Sequence, residues 1–389
     1  MMGLIGRMSL FHLPRLGFSP YARLAIGPYL LDLEVNHYFH MLMLLRKYEK
    51  DLEALLGRIL HPGDKYVDVG AEVGYTAALA GALVGRNGKM LLFEPDPRAF
   101  PRLKRHMDSG RKDAAPETII LNSACSDAER EFEMSLAPTM GQSVLLQDGV
   151  LIPDRPTVRV SSIILDDVLR QYGFETIRLL KMDVEGHEIF ALKGLQKTLT
   201  EKRIDFIIIE KNAYLLGENF FTPGHLHAIF ARAGYVCIQE NGCAPTRKSL
   251  GEKVLENLVY AKSLELLKEG FPCARETTPA EPFSPKEIER LWEEITTPDH
   301  PAIQANRIIA KVRKGYVIEG IREGEELLVR YPRNTSFRGH VAHWLLSIGE
   351  IGRARGHYLI MADEEPDNEE VAAIIKKIAT VTNQESTPP

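Results

Sequence analysis

From residue 65 to residue 261, short apolar runs recur, most of them closed by a glycine, an acid or a polar residue. Segments of helical period lie between them, and that alternation narrows the fold more than any other feature of the chain. The runs are K65-Y-V-D-V-G70, M90-L-L-F-E94, T118-I-I-L121, I177-R-L-L-K-M182, D205-F-I-I-I-E210, Y235-V-C-I-Q239 and L258-V-Y-A261. Four to six apolar-rich residues bounded by turn signals read as buried strands. Helices are expected over 75–83, 98–107, 188–199 and 225–234. Another is expected over 48–60, where Leu52, Leu55, Leu56 and Ile59 fall on one face. Strands joined through helices pair in parallel, so the expected class is α/β, a doubly wound sheet with helices on both faces. The stretch 129–162 has strand signals around a loop rich in Gly, Asp and Pro and reads as an inserted hairpin.

In a sheet of this kind a ligand sits outside the carboxyl ends of the central strands. That rule gathers four distant places: the loop D68-V-G-A-E-V-G74, the acid Glu94 with Pro95 behind it, the segment N122-S-A124, and L180-K-M-D-V-E-G-H-E188. Gly70 and Gly74 permit a tight strand-to-helix turn and a close backbone approach to a ligand. A dinucleotide loop would read G-x-G-x-x-G, but here Glu72 stands in it, and a carboxylate repels a pyrophosphate. An NAD-dependent oxidoreductase is therefore disfavoured. S-adenosyl-L-methionine, a nucleoside with a sulfonium centre and no phosphate, suits the loop better. Ala71 and Glu72 would then face it, Asp68 would hold its ammonium end or organise the turn, and Glu94 would accept both ribose hydroxyls. Methyl transfer needs an aligned nucleophile and an acceptor for its proton. Asp183 is the first candidate for base or substrate-orienting acid, with Lys181, Glu185 and His187 behind it. Two readings of His187 stand level, catalytic group or hydrogen-bonded wall residue. Glu188 reads as an acid opposing the positive end of a helix and is assigned no chemistry. Glu210 either shapes an acceptor pocket or is a solvated strand end. These acids could gather a metal, but their spacing is not diagnostic, and no metal ligand is assigned.

The runs Y66-V-D-V-G-A-E-V-G-Y-T76, F93-E-P-D96, L121-N-S-A-C-S-D127, S161-S-I-I-L-D-D-V-L169, L180-K-M-D-V-E-G-H-E188 and A191-L-K-G194 together resemble the FkbM family of methyltransferases over about residues 45–262. The resemblance implies a Rossmann-like class I methyltransferase using S-adenosyl-L-methionine, with the hydroxyl of a sugar, glycan or secondary metabolite as acceptor. Glu72 departs from the pattern, which usually has Asn there. A noncatalytic scaffold of the same fold is the alternative; the joint presence of Asp68, Gly70, Gly74, Glu94 and Asp183 argues against it.

A net charge of −5 argues against nonspecific nucleic-acid binding. Cysteines 125, 237, 243 and 273 show neither zinc spacing nor disulfide density, so reduced packing residues of a cytoplasmic protein are expected. Arg7, Arg15 and Arg23 interrupt the apolar N-terminus, leaving no signal-peptide core or membrane span. The organisation expected is an N-terminal arm over 1–47, a catalytic domain over 48–262, a linker and charged helix over 263–300, a helical region over 301–380 and a disordered tail over 381–389. Pro332 and Pro366 stand thirty-four residues apart, the tetratricopeptide period, with Ala342, Leu345, Ala354 and Tyr358 at packing positions. That TPR-like region is expected to pack on the domain, to self-associate or to bind a protein partner.

Overall fold

The computed structural model describes residues 20–138, 141–146, 155–219, 221–239, 244–252, 255–271, 281–296, 301–313, 315–332, 335–364 and 368–385. The chain opens with the hairpin β1 (Tyr21–Ile26) and β2 (Tyr29–Glu34), then α1 (Tyr38–Leu44) and α2 (Lys50–Ile59). Next come β3 (Lys65–Val69), α3 (Tyr75–Val84), β4 (Lys89–Phe93), α4 (Phe100–Asp108) and β5 (Glu117–Leu121). The insertion supplies β6 (Ala124–Cys125), β7 (Glu131–Ser135), β8 (Val144–Leu146) and β9 (Thr157–Ile163). After α5 (Leu165–Gln171) come β10 (Ile177–Met182), α6 (Glu188–Lys193), α7 (Gln196–Thr200), β11 (Ile204–Asn212), α8 (Ala213–Glu218), α9 (Pro223–Arg232), β12 (Val236–Gln239), α10 (Arg247–Glu252) and β13 (Leu255–Ala261).

The main sheet has seven strands in the order β12-β13-β11-β10-β3-β4-β5. Pairing from β11 through β5 is parallel, whereas β13 runs antiparallel to both its neighbours. All seven expected strands are present, but the expectation of parallel pairing fails at β13. Among the described residues the connection from β12 carries the six-residue α10, and it returns the chain as a hairpin rather than a crossover.

Both faces of the sheet are buried, which is why its strands read as near-continuous apolar runs. On one face Val67, Val69, Leu91, Phe93, Leu180, Met182, Ile207 and Ile209 pack under α5, α6, α7 and α9. On the other, Tyr66, Met90, Leu92, Leu179, Phe206 and Ile208 meet α2, α3 and α4. The β1–β2 hairpin joins this second core through Ile26, Tyr29, Leu31 and Leu33. A second sheet, β6-β9-β7-β8, closes the insertion around Phe132, Met134, Leu136 and Val160. It contains the expected strand pair and two further short strands.

Beyond the sheet lie α11 (Leu264–Gly270) and α12 (Pro285–Thr296). Ile288 and Leu291 of α12 pack with Ala228 of α9. Two imidazole–carboxylate contacts flank this seam, His225 Nε2 to Glu294 at 2.8 Å and His227 Nε2 to Glu281 at 2.7 Å. Then come α13 (Pro301–Arg313), α14 (Val317–Arg330), α15 (Thr335–Ser347), α16 (Ile351–Glu364) and α17 (Glu369–Glu385), each packed on the next. Leu345 and Ala354 belong to one of their cores, Ala342 and Tyr358 to the other. Cys125 and Cys237 are free and buried, while 243 and 273 lie outside the described residues. No helix among the described residues is long and apolar enough to cross a membrane.

Candidate active site

A cavity of about 420 Å³ opens at the carboxyl ends of β3, β4, β10 and β11. The loop after β3 forms its floor. Gly70 has φ +87°, and a Cβ there would stand 1.8 Å from the carbonyl oxygen of Asp183, so only glycine lets these two strand ends approach. The Gly70 and Ala71 amides donate to the Phe93 carbonyl at 3.0 and 2.9 Å, pinning the loop to β4. Gly74, also at φ +87°, starts α3 and packs against Leu103 outside the cavity.

Glu94 ties the loop after β3 to the end of β4. Its carboxylate accepts from the Glu72 and Asp96 amides, each at 2.7 Å. Burial outweighs these bonds and raises its pKa to about 8. Glu72, at φ +50°, faces the cavity, and its buried Oε1 has no partner among the described residues. Burial raises its pKa to about 7. Pro95 and Ala124 line the cavity. Asn122 does not; its Nδ2 donates to the Glu94 carbonyl at 2.7 Å and fixes the strand end from behind. Asp68 is also set back. It is fully buried, accepts from Tyr66 Oη at 3.0 Å and lies 3.7 Å from Lys181 Nζ, and burial raises its pKa to about 6. It organises the floor rather than the cavity surface.

Lys181, Asp183 and Glu185 line the cavity from the end of β10. Lys181 Nζ donates to Asp183 at 3.1 Å and to the Gly70 carbonyl at 3.2 Å. Burial alone would lower its pKa, but Asp183 and Asp68 outweigh burial and hold it raised. It is therefore a fixed cation rather than a base. Glu185 sits at φ +52° in the turn that Gly186 completes. Glu188 accepts from the Val184 and Gly186 amides, a turn-organising role as expected for an acid at the start of α6.

His187 is not part of the cavity wall. It is 1% exposed, contacts Ser126 Oγ through Nε2 at 3.0 Å, stacks on Phe190 and meets the edge of Phe132. Burial lowers its pKa to about 3, so it stays neutral. It matches neither reading fully: it is hydrogen-bonded as the second supposed, but the turn at Gly186 sends it into the packing beneath the insertion, away from the cavity.

The opposite wall was not anticipated. Phe39, Leu42 and Met43 from α1, with Lys47, Tyr48 and Glu49 after it, line the cavity. Tyr48 meets the edge of Tyr75 at 5.7 Å. Glu49, at φ +40°, precedes α2, and burial raises its pKa. An acid before a helix looks like any capping residue, so nothing in the sequence marked it. Glu210 faces the same space, and oxygens of Asp183, Glu185 and Glu210 lie within 4.8 Å of one another. Such a trio of oxygens is also the donor type a hard cation uses. Burial, then the neighbouring carboxylates, raises the pKa of both Glu185 and Glu210. The insertion contributes Met134, Gly141, Gln142, Ser143 and Leu145. Arg98 holds that flap by bonding Asp96, the Ala137 carbonyl and Ser143. Asn212 and Leu255 also line the cavity.

Residues 68–237 match the family described as the Methyltransferase FkbM domain, in agreement with the sequence resemblance. Over 165 residues the chain is 27% identical to the hexuronic acid methyltransferase AglP of Haloferax volcanii, covering 42% of this chain and 63% of that relative's length. Two solved structures are similar at low identity. Aeropyrum pernix fibrillarin with bound S-adenosyl-L-methionine is 12% identical, covering 54% of this chain and 72% of that one at a TM-score of 0.30. A SAM-dependent methyltransferase from Aquifex aeolicus is 16% identical, covering 55% and 88% at 0.31.

Proposed function

We propose, proceeding from an FkbM methyltransferase domain at residues 68–237, that the protein transfers a methyl group from S-adenosyl-L-methionine to a hydroxyl of a sugar or glycan. The observation that carries this is the meeting, across one cavity, of Glu94 and the Gly70–Glu72 loop with the acids that end β10 and β11. The AglP relative, a hexuronic acid methyltransferase by name, supports a sugar as acceptor.

Glu94 sits where a ribose acid belongs, at the end of the second strand of the parallel run. Ala71 and Glu72 border the space left for the amino-acid tail. The donor supplies an electrophilic methyl on a sulfonium. An acceptor oxygen forms the new C–O bond as the S–C bond breaks; that electron pair stays on sulfur, which leaves as a neutral thioether. The hydroxyl proton passes to a carboxylate, for which Asp183 is the best placed group. Its side chain is part-exposed to the cavity and is oriented by Lys181.

Calorimetric titration with S-adenosyl-L-methionine and, separately, NADH tests the reading. Micromolar binding of the first and none of the second is expected. Glu94→Ala should weaken binding by about ten- to a hundredfold, the value of two hydrogen bonds to the ribose hydroxyls. NADH binding, or no binding of either by folded protein, would overturn it.

A further inference from the structure

The acceptor side of the cavity has a charge pattern that the fold does not require. Glu49 approaches from the segment before α2, Glu185 from the turn after β10 and Glu210 from the end of β11, and all three line the same space as Asp183. Lys181 is committed to Asp183 and Asp68, at 3.1 and 3.7 Å. Lys47 lies exposed. No arginine lines the cavity among the described residues, and Glu185 and Glu210 make no ion pair there.

An acidic acceptor needs the opposite arrangement, a guanidinium fork or paired ammonium groups to receive its carboxylate. A neutral polyol can hydrogen-bond to these acids but leaves Glu185 and Glu210 held against ionisation by burial and by each other's neighbourhood, whereas a cation placed between them lets both ionise. The sulfonium of the donor answers for one negative charge at most. The orphaned, buried Oε1 of Glu72 shows that the protein itself does not satisfy all of the carboxylate oxygens it presents.

We infer, resting on the methyltransferase reading, that the acceptor carries a positive charge: an amino sugar whose ammonium is held by Glu185 and Glu210 while a neighbouring hydroxyl faces Asp183. The ammonium has no free electron pair, so it anchors and does not receive the methyl. The hydroxyl oxygen takes the methyl and its proton goes to Asp183, as in the transfer described above. This separates the acceptor from the uronic acid in the name of the AglP relative.

The test is binding at pH 7 to protein saturated with S-adenosylhomocysteine, measured by ligand-detected NMR with methyl glucosaminide, methyl glucoside and methyl glucuronide. The glucosaminide should bind about tenfold or more tighter than the glucoside, with the glucuronide weakest. Glu210→Gln should remove that preference while leaving affinity for S-adenosylhomocysteine in place. Equal affinities, a preference for the glucuronide, or no binding of any of the three would overturn the inference. So would magnesium or manganese chloride abolishing the amino sugar's advantage, since the acids would then be a divalent-cation site. Failure of S-adenosylhomocysteine itself to bind would instead overturn the reading beneath it.

Discussion

Burial holds Glu94 and Glu72 neutral in the cavity where we propose that the sulfonium donor binds, and this has a measurable sign. In the folded chain they keep protons up to about pH 8 and about pH 7, against an ordinary glutamate value of 4.5. The unfolded chain has already lost those protons, so folding takes protons up and stability falls as pH rises through this window. Buried His187 acts in the opposite sense, but only below its ordinary value of 6.5. The melting temperature of cofactor-free protein should therefore fall between pH 6.5 and pH 8, and Glu94→Gln should flatten the fall. A melting temperature that climbs over that interval would remove the buried acids from the account. Donor binding should also release protons, seen as a binding heat that varies with the ionisation enthalpy of the buffer. Asp183→Asn should keep donor affinity but lower methyl transfer by about a hundred- to ten-thousandfold, the range for a lost general base. Unchanged transfer would exclude it. His187→Ala should lower stability by about 2–4 kcal/mol through the cavity it leaves; a loss of donor affinity without a drop in melting temperature would restore it to the site.

At the scale of elements, the strands were legible because both faces of the sheet are covered, so every residue of a strand must be apolar or anchored. The buried polar strand residues are anchored in pairs, Asp68 with Lys181 at 3.7 Å and Lys211 with Glu256 at 2.8 Å. The direction of β13 was not legible, because hairpin and crossover differ only in the length of a connection. The wall from α1 to Glu49 was invisible for another reason: it carries no motif and acts by position alone. His187 shows the limit of a dense motif, since neighbours in sequence need not share a side of the chain. The closeness of β3 and β10 gives the sharpest prediction here. Gly70→Ala must adopt a left-handed conformation, at about 1–2 kcal/mol, and must also move the Asp183 carbonyl. Donor binding should be lost before global folding is, measured by calorimetry beside circular dichroism. An alanine variant that binds normally would show that the strand ends separate easily.

For the whole molecule, α12 is the last helix sharing a buried cluster with the sheet domain, through Ala228, Ile288 and Leu291. The helices from α13 onward have their own cores. A chain ending at Thr296 should accordingly bind the donor as the full chain does. A chain ending before Pro285 should be less stable, since it loses Ile288, Leu291 and the Glu294 partner of His225. Equal melting temperatures for the two truncations would show that α12 adds nothing to the domain. We propose that the helices from α13 onward serve a protein partner or self-association, a role separable from methyl transfer by the first truncation.

Phe39, Leu42, Met43, Lys47, Tyr48 and Glu49 all precede residue 68, whereas the acids at the strand ends all lie after it. On the proposed function, reaction chemistry and one wall of the acceptor chamber are thus written on separate stretches of the chain. Mutational drift in the first stretch can retune which molecule is admitted while the apparatus for moving a methyl group is inherited intact. Exchange of this leading segment between relatives is then a short evolutionary route to a new substrate, and a practical one for grafting.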